Sequence, residues 1–228
     1  MSKAKILVAE KLRKDYPTPE GPLAVLKGID FSLGEGEMTF VVGRSGSGKS
    51  TLLHLLGGLD RATEGRIFFK GTDLSQMNET ELSTYRNRKI GFIFQFFHLL
   101  PEFTLFENVL LPSLIAGKPN RGRAKELLRR VGLRGREGHF PAELSGGEQQ
   151  RAAIARSLMN QPEVLFCDEP TGNLDDETAE MVFGILTSLH RESGLALAIV
   201  THDERTARRF ESVYRLHEGL LTKETIQI

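Results

Sequence analysis

The sequence predicts an α/β fold: a mixed sheet flanked by helices, with an N-terminal antiparallel β subdomain and an inserted α-helical subdomain. Three observations predict it. A fully apolar run, residues 38–42, leads into a glycine-rich turn and then a leucine-rich helical stretch. Three further apolar runs, 90–94, 164–167 and 196–200, end on polar or acidic residues, as buried strands do when they carry ligand-binding groups at their C-terminal ends. Between residues 96 and 160 the texture changes to helical stretches parted by Pro and Gly.

Taken in order, residues 5–12 alternate as a strand, and Tyr16-Pro17-Thr18-Pro19 is expected to end it in a turn. Residues 26–33 alternate again, with Ile29, Phe31 and Leu33 on one face, and Gly34-Glu35-Gly36-Glu37 turns the chain into the strand at 38–42. Residues 66–70 read as a short strand and 79–86 as a helix. Three helices are expected at 107–115, 123–131 and 147–159. A helix at 177–190 separates the strands at 164–167 and 196–200, and a small hairpin around Glu218-Gly219 closes the chain. The expected organisation is one domain over 1–228. Residues 1–95 and 161–228 form the α/β core with its β subdomain, and 96–160 form the inserted helical subdomain.

Bulk properties narrow the possibilities. The 228 residues suit one large domain, and 39% hydrophobic with 26% charged residues is ordinary for a soluble protein. Lys and Arg number 30, as do Asp and Glu, and this zero net charge speaks against a nucleic-acid partner. The single cysteine, Cys167, excludes an internal disulfide and reads as a buried packing residue. No secretion signal is expected at the N-terminus. The most apolar region, 91–117, is broken by Gln95, Pro101, Glu102, Glu107 and Pro112, so the chain is not expected to span a membrane by itself.

The turn after residues 38–42 is Gly43-Arg44-Ser45-Gly46-Ser47-Gly48-Lys49-Ser50-Thr51, which fits G-x-x-x-x-G-K-[ST] in the strand–loop–helix context that phosphate-binding loops need. Glycines let successive N–H groups point inward, and side chains there are expected to block the phosphates. The following helix adds its positive end, Lys49 supplies a cation for the β- and γ-phosphates, and Ser50 is a candidate Mg²⁺ ligand. These features mark a P-loop NTPase core. A second element, Val164-Leu165-Phe166-Cys167-Asp168-Glu169, brings two carboxylates to a strand end. Beside a phosphate loop, Asp168 suits Mg²⁺ and Glu169 suits an attacking water.

Leu144-Ser145-Gly146-Gly147-Glu148-Gln149-Gln150-Arg151 is the most specific stretch, and with it the chain resembles the ATPase subunits of ABC transporters over essentially its whole length. The resemblance implies ATP and Mg²⁺ as cofactors and a homodimer with two ATP molecules at the interface. In it Ser145, Gly146 and Gly147 grip the γ-phosphate held by the other copy. It further implies that Tyr16 stacks on adenine, that Gln95 is the lid glutamine touching Mg²⁺ and water, that Asn173-Leu174-Asp175 is the loop crossing the interface, with Asp175 at the nucleotide, and that His202 is the switch residue contacting the γ-phosphate. Read alone, Tyr16 is a turn tyrosine and His202 a structural strand-end histidine. No motif position departs from the family pattern, so Glu169 implies a working hydrolase.

A chain with one nucleotide-binding domain and no membrane part needs membrane helices on another chain. Residues 96–103, Phe-Phe-His-Leu-Leu-Pro-Glu-Phe, are expected to form a groove for a cytoplasmic helix of that subunit; a local core of the helical subdomain is the other reading. Leu53-His54-Leu55-Leu56-Gly57-Gly58-Leu59-Asp60, Arg86 to Phe92, Phe97 to Thr104 and Glu107-Asn108-Val109 look like the lipoprotein-releasing (Lol-type) ATPases, grouped with macrolide-exporter and cell-division ABC ATPases. That implies a peripheral protein on the cytoplasmic face of a bacterial inner membrane, releasing lipoproteins toward the outer membrane. A macrolide or peptide exporter and a non-transport cell-division complex stay open as alternatives. A soluble ABC ATPase of DNA repair or translation is disfavoured by the lack of a long coiled coil or second nucleotide domain.

Overall fold

The computed structural model describes residues 4–225. In chain order its elements are β1 (Lys5–Thr18), β2 (Gly21–Gly34), β3 (Met38–Val42), α1 (Lys49–Leu56), β4 (Glu64–Phe69), β5 (Thr72–Asp73), α2 (Glu79–Lys89), β6 (Ile90–Ile93), α3 (Leu105–Ile115), α4 (Arg121–Arg130), α5 (Gly146–Ser157), β7 (Val164–Asp168), α6 (Asp176–Ser193), β8 (Ala196–Thr201), α7 (Glu204–Ala207), β9 (Ser212–His217) and β10 (Leu220–Thr225).

Two sheets result. The antiparallel one runs β2-β1-β4-β5 and the mixed one β10-β9-β3-β8-β7-β6. Within the mixed sheet β9, β3, β8, β7 and β6 are parallel and β10 is antiparallel to β9. The central strands are apolar on both faces because both are covered. Phe40, Val42, Leu165, Cys167, Leu197 and Ile199 point into one core with α3–α6. Val41, Val164, Phe166, Ala198 and Val200 point into the other, which α1, α2 and the antiparallel sheet close. Cys167 is fully buried, and burial pushes its thiol well above the usual range, so it packs rather than reacts.

Helix starts follow their capping residues. Asn78, Thr104 and Ser145 each accept from the third residue on, while Glu81, Glu107 and Glu148 reach back, completing capping boxes. Asp175 caps α6 through the Thr178 N–H at 3.0 Å.

The expected turn at Tyr16-Pro17-Thr18-Pro19 is a correction: Tyr16, Pro17 and Thr18 lie inside β1, paired with Leu23, Pro22 and Gly21 of β2. Proline fits there because β4 accompanies β1 only as far as Arg13, so the missing N–H of Pro17 interrupts no ladder on that side.

Candidate functional site

Four neighbouring strands end at one place. The glycine-rich loop follows β3, His202 follows β8, Asp168 and Glu169 end β7, and Gln95 follows β6. This is the edge where parallel α/β sheets bind ligands. The four strand ends bring together residues that span 160 positions of sequence.

The loop ends at Gly48, whose φ of 101° starts α1 without a side-chain cap, so the first N–H groups of α1 are left to the loop. The glycines do more than clear room for phosphate. A Cβ on Gly43 would lie 2.4 Å from the Leu216 carbonyl oxygen, and one on Gly48 would press on Val25 and Leu26 at 3.0 Å. Gly46, at φ 77°, has open space around it and needs its glycine for the backbone angle alone. Arg44, Ser45 and Ser50 are exposed, Thr51 is half-buried, and the Ser47 hydroxyl is buried with no hydrogen-bond partner. Backbone packing thus excludes a side chain at Gly43, and left-handed φ disfavours one at Gly48.

Lys49 is buried and held on three sides. Its Nζ donates to the carbonyls of Gly43 at 3.0 Å and Arg44 at 3.2 Å and lies 3.4 Å from Glu169 Oε1. Glu169 Oε2 is 2.8 Å from His202 Nδ1 and accepts from the His202 backbone N–H at 3.3 Å. Glu169 thus sits between the loop lysine and the histidine, with φ at 46°, a backbone conformation rare outside glycine. Its own N–H is fixed to the Val200 carbonyl at 3.0 Å, which locks the strained residue to β8.

Asp168 is a different carboxylate. Burial raises its proton affinity; the Ser50 hydroxyl, hydrogen-bonded to it, pulls the other way. Asp168 Oδ1 is buried with no hydrogen-bond partner. An orphaned carboxylate oxygen beside a serine hydroxyl is the hard oxygen pair that a Mg²⁺ ion takes. Among the described residues no group of three or more His, Cys, Asp and Glu is placed to hold a metal.

Gln95 points along the β6–β7 edge toward the loop after β7. Its Nε2 donates to Asn173 Oδ1 at 3.3 Å, and Asn173 Nδ2 returns a bond to the Gln95 carbonyl at 3.1 Å. The side-chain contact seen is therefore to Asn173. Gln150, fully buried in α5, binds the same region from below: its Nε2 donates to the Phe94 and Pro170 carbonyls, and its Oε1 has no partner. It ties the residue before Gln95 to the residue after Glu169. Gln150 has no assigned role within the 144–151 stretch; a glutamine on the apolar face of α5 is its signal in the sequence.

Ser145 is exposed at the start of α5, but its donors are engaged. Its N–H and hydroxyl both donate to Glu148 Oε2, at 2.9 and 3.0 Å. The serine of the expected γ-phosphate grip is thus capped by the chain's own carboxylate. Gly147 packs against Thr178, where a Cβ would lie 2.3 Å from the methyl, while Gly146 has looser space beside Phe97. Tyr16 is half-buried; its hydroxyl donates to Asp60 Oδ2 at 2.8 Å. Asp175 is exposed and serves as the α6 cap.

The segment 96–103 divides. Phe96, Leu100 and Phe103 are exposed, Phe96 at 67%, whereas Leu99 packs against the α3–α6 core. The groove reading is corrected for Leu99, which belongs to the local core. The segment is fastened by Asn108, fully buried in α3, which binds the Leu100 N–H and the carbonyls of Leu100, Phe103 and Thr104. Arg156 adds bonds to the Phe97 and His98 carbonyls.

Residues 26–172 match the model of the ABC transporter family. The chain is 49% identical to the lipoprotein-releasing system ATP-binding protein LolD of Idiomarina loihiensis, over 96% of this chain and 97% of that one. It is also 49% identical to LolD of Legionella pneumophila, over 95% and 96% of the two chains. Among solved structures, the ATP-binding cassette MJ0796, a dimer in a post-hydrolysis state bound to ADP and Pi, superposes with a TM-score of 0.90 at 36% identity, covering 97% of this chain and 99% of that one.

Proposed function

The chain belongs to the ABC transporter family of ATP-binding proteins, and from that premise we propose that it is the ATP-hydrolysing subunit of a lipoprotein-releasing transporter. The near-half identity to LolD proteins along almost the full length of both chains carries this reading. The site supports hydrolysis of the β–γ bond. Lys49 and the N–H groups at the start of α1 bind the phosphates, and Glu169, oriented by His202 and the Val200 carbonyl, positions water. Ser50 and Asp168 would hold Mg²⁺, which would neutralise charge on the phosphate oxygens.

The working unit is a homodimer with two ATP molecules between copies, as the dimeric state of the MJ0796 cassette supports. Ser145, Gly146 and Gly147 of one copy meet the γ-phosphate bound by the other, the phosphate taking the donors that Glu148 occupies in the single chain. That exchange of one anion for another lowers the gain below the ~1.5–3 kcal/mol of a fresh charge-assisted bond. Closing a dimer from about 1:99 to 99:1 takes roughly 5.5 kcal/mol, shared by two nucleotides. Gln95 and Asp175 take part from the lid and interface loops. Residues 96–160 act as the helical subdomain that relays closure, and the exposed Phe96, Leu100 and Phe103 dock an integral membrane subunit on the cytoplasmic face of the inner membrane. No helix among the described residues is long and apolar enough to cross a membrane, so membrane contact comes through that partner.

The test is co-expression with candidate membrane subunits. Leu100→Glu should keep ATP binding and lose copurification, and Glu169→Gln should form an ATP-dependent dimer on size exclusion. A Leu100→Glu chain that copurifies normally, or a Glu169→Gln chain that stays monomeric in ATP, counts against the reading.

A further inference from the structure

Tyr16 is pinned at more points than a stacking ring needs. Its hydroxyl donates to Asp60 Oδ2 at 2.8 Å. Lys14 Nζ donates to Asp60 Oδ1 at 2.7 Å and to the Arg61 carbonyl at 2.8 Å, and the same ammonium lies 4.7 Å from the Tyr16 ring centroid. The Lys14 side chain is only 11% exposed, so this is a built contact rather than a passing surface pair.

The place of this cluster in the fold matters. β1 has neighbours on both sides only to Arg13; past that point its β4 side is unpaired. The turn after α1 takes over there. Thr63 donates to the Arg13 carbonyl at 2.9 Å, and its hydroxyl accepts from the Asp15 N–H at 3.0 Å. Asp60 is itself fixed: its N–H returns to the His54 carbonyl at 3.3 Å, and its Oδ1 accepts from the Arg61 N–H at 2.7 Å. Asp60 lies in the turn that leaves α1. The turn that leaves α1 therefore holds the tyrosine, while the start of the same helix closes the phosphate loop.

We propose that Asp60, clamped by Lys14, is a positioning residue for the base end of the nucleotide: it fixes the Tyr16 ring on the helix that binds the phosphates. This rests on the reading that Tyr16 takes the base. Lys14 covers one ring face, so the base stacks on the other. A cation on one face draws electron density from the ring and favours an electron-rich purine on the opposite face. Because the base site is referred to the turn that leaves this eight-residue helix and the phosphate site to its start, the distance between them is set by a rigid element.

The experiment compares Mg·ATP with Mg·tripolyphosphate, which has the phosphates and no base, by competition against a fluorescent nucleotide. Tyr16→Phe keeps the ring and removes only the bond to Asp60; Asp60→Ala removes the anchor; Tyr16→Ala removes the ring. Tyr16→Phe and Asp60→Ala should each weaken ATP about fivefold or more, from the loss of one hydrogen bond to a charged group, with tripolyphosphate unchanged. Weakening by Tyr16→Ala alone, with Tyr16→Phe and Asp60→Ala at wild-type affinity, overturns the anchor and leaves the base reading intact. Wild-type ATP affinity in Tyr16→Ala overturns the base reading and the anchor with it. Equal losses for both ligands in Asp60→Ala, with Tyr16→Phe unaffected, overturn the positioning role and make Asp60 a residue of the turn.

Discussion

Replacing Asn108 by leucine should loosen the segment that bears Phe96, Leu100 and Phe103 while sparing the nucleotide site. The side chains are similar in volume, so the change isolates the loss of hydrogen bonds. Four bonds go. Their partners are not equally exposed to the loss. The Thr104 carbonyl keeps the Asn108 backbone N–H at 2.9 Å, and the Leu100 carbonyl keeps the Phe103 N–H at 3.2 Å. The Leu100 N–H and the Phe103 carbonyl lose the side-chain amide that serves them. Leaving a buried donor or acceptor unsatisfied costs about 1–3 kcal/mol, so two give roughly 2–6 kcal/mol while the segment stays in place. Residues 100 and 103 lie near solvent, so the segment can instead swing out and bind water, which caps the global cost near the lower figure, about 2–3 kcal/mol. For a chain of this length that is a fall in Tm of about 4–12 °C. Circular dichroism melts give the stability, and limited proteolysis between residues 96 and 104 gives the loosening. Asn108→Leu should melt lower, be cut faster in that segment and bind ATP normally. A melt within 1–2 °C of wild type, with unchanged cleavage, would refute the view that this asparagine is the latch.

Gln150→Leu should leave the Phe94 and Pro170 carbonyls without their shared donor, lowering stability by about 1–3 kcal/mol and slowing ATP turnover more than ATP binding; a stable mutant with normal turnover removes Gln150 from the site. Gly57→Ala should cost about 1–3 kcal/mol, because a Cβ there would lie 1.9 Å from Phe92, whose ring is already stacked on Phe94; a melt unchanged from wild type contradicts the packing. Burial alone would raise the Glu37 carboxyl, but hydrogen bonds from Ser212, the Gly34 N–H and Thr39 outweigh it and hold it below its ordinary 4.5. A depressed carboxyl contributes stability that is complete above pH 4.5 and fades as pH falls through the lower folded-state value. The urea midpoint difference between wild type and Glu37→Gln should accordingly shrink below pH 4.5, and a difference constant from pH 7 to 3 refutes the assignment.

Much of the site was legible because its signals are contiguous. The loop at Gly43 to Thr51 announces itself by spacing, and Asp168 and Glu169 by following four apolar residues. Apolar runs at 38–42, 164–167 and 196–200 give the central strands, since burial on both faces leaves no polar alternation to misread. What escaped reading joins residues far apart. Asp60 meets Tyr16 across 44 positions, and Gln150 meets Phe94 across 56. No local pattern encodes such pairs; they depend on the path of the backbone. Tyr16 to Thr18 reads as a turn because proline usually breaks a strand, and the end of β4 pairing explains why Pro17 is tolerated. β5 and α7, at two and four residues, are too short to leave a periodic signal.

The central claim is that one chain carries half of each reaction centre. ATP hydrolysis per chain, measured over a dilution series alongside light scattering, tests it most directly. The account predicts a per-chain rate that falls toward zero as dimers dissociate and returns when chains are concentrated. A per-chain rate that stays constant down to dilutions where only monomer scatters contradicts it.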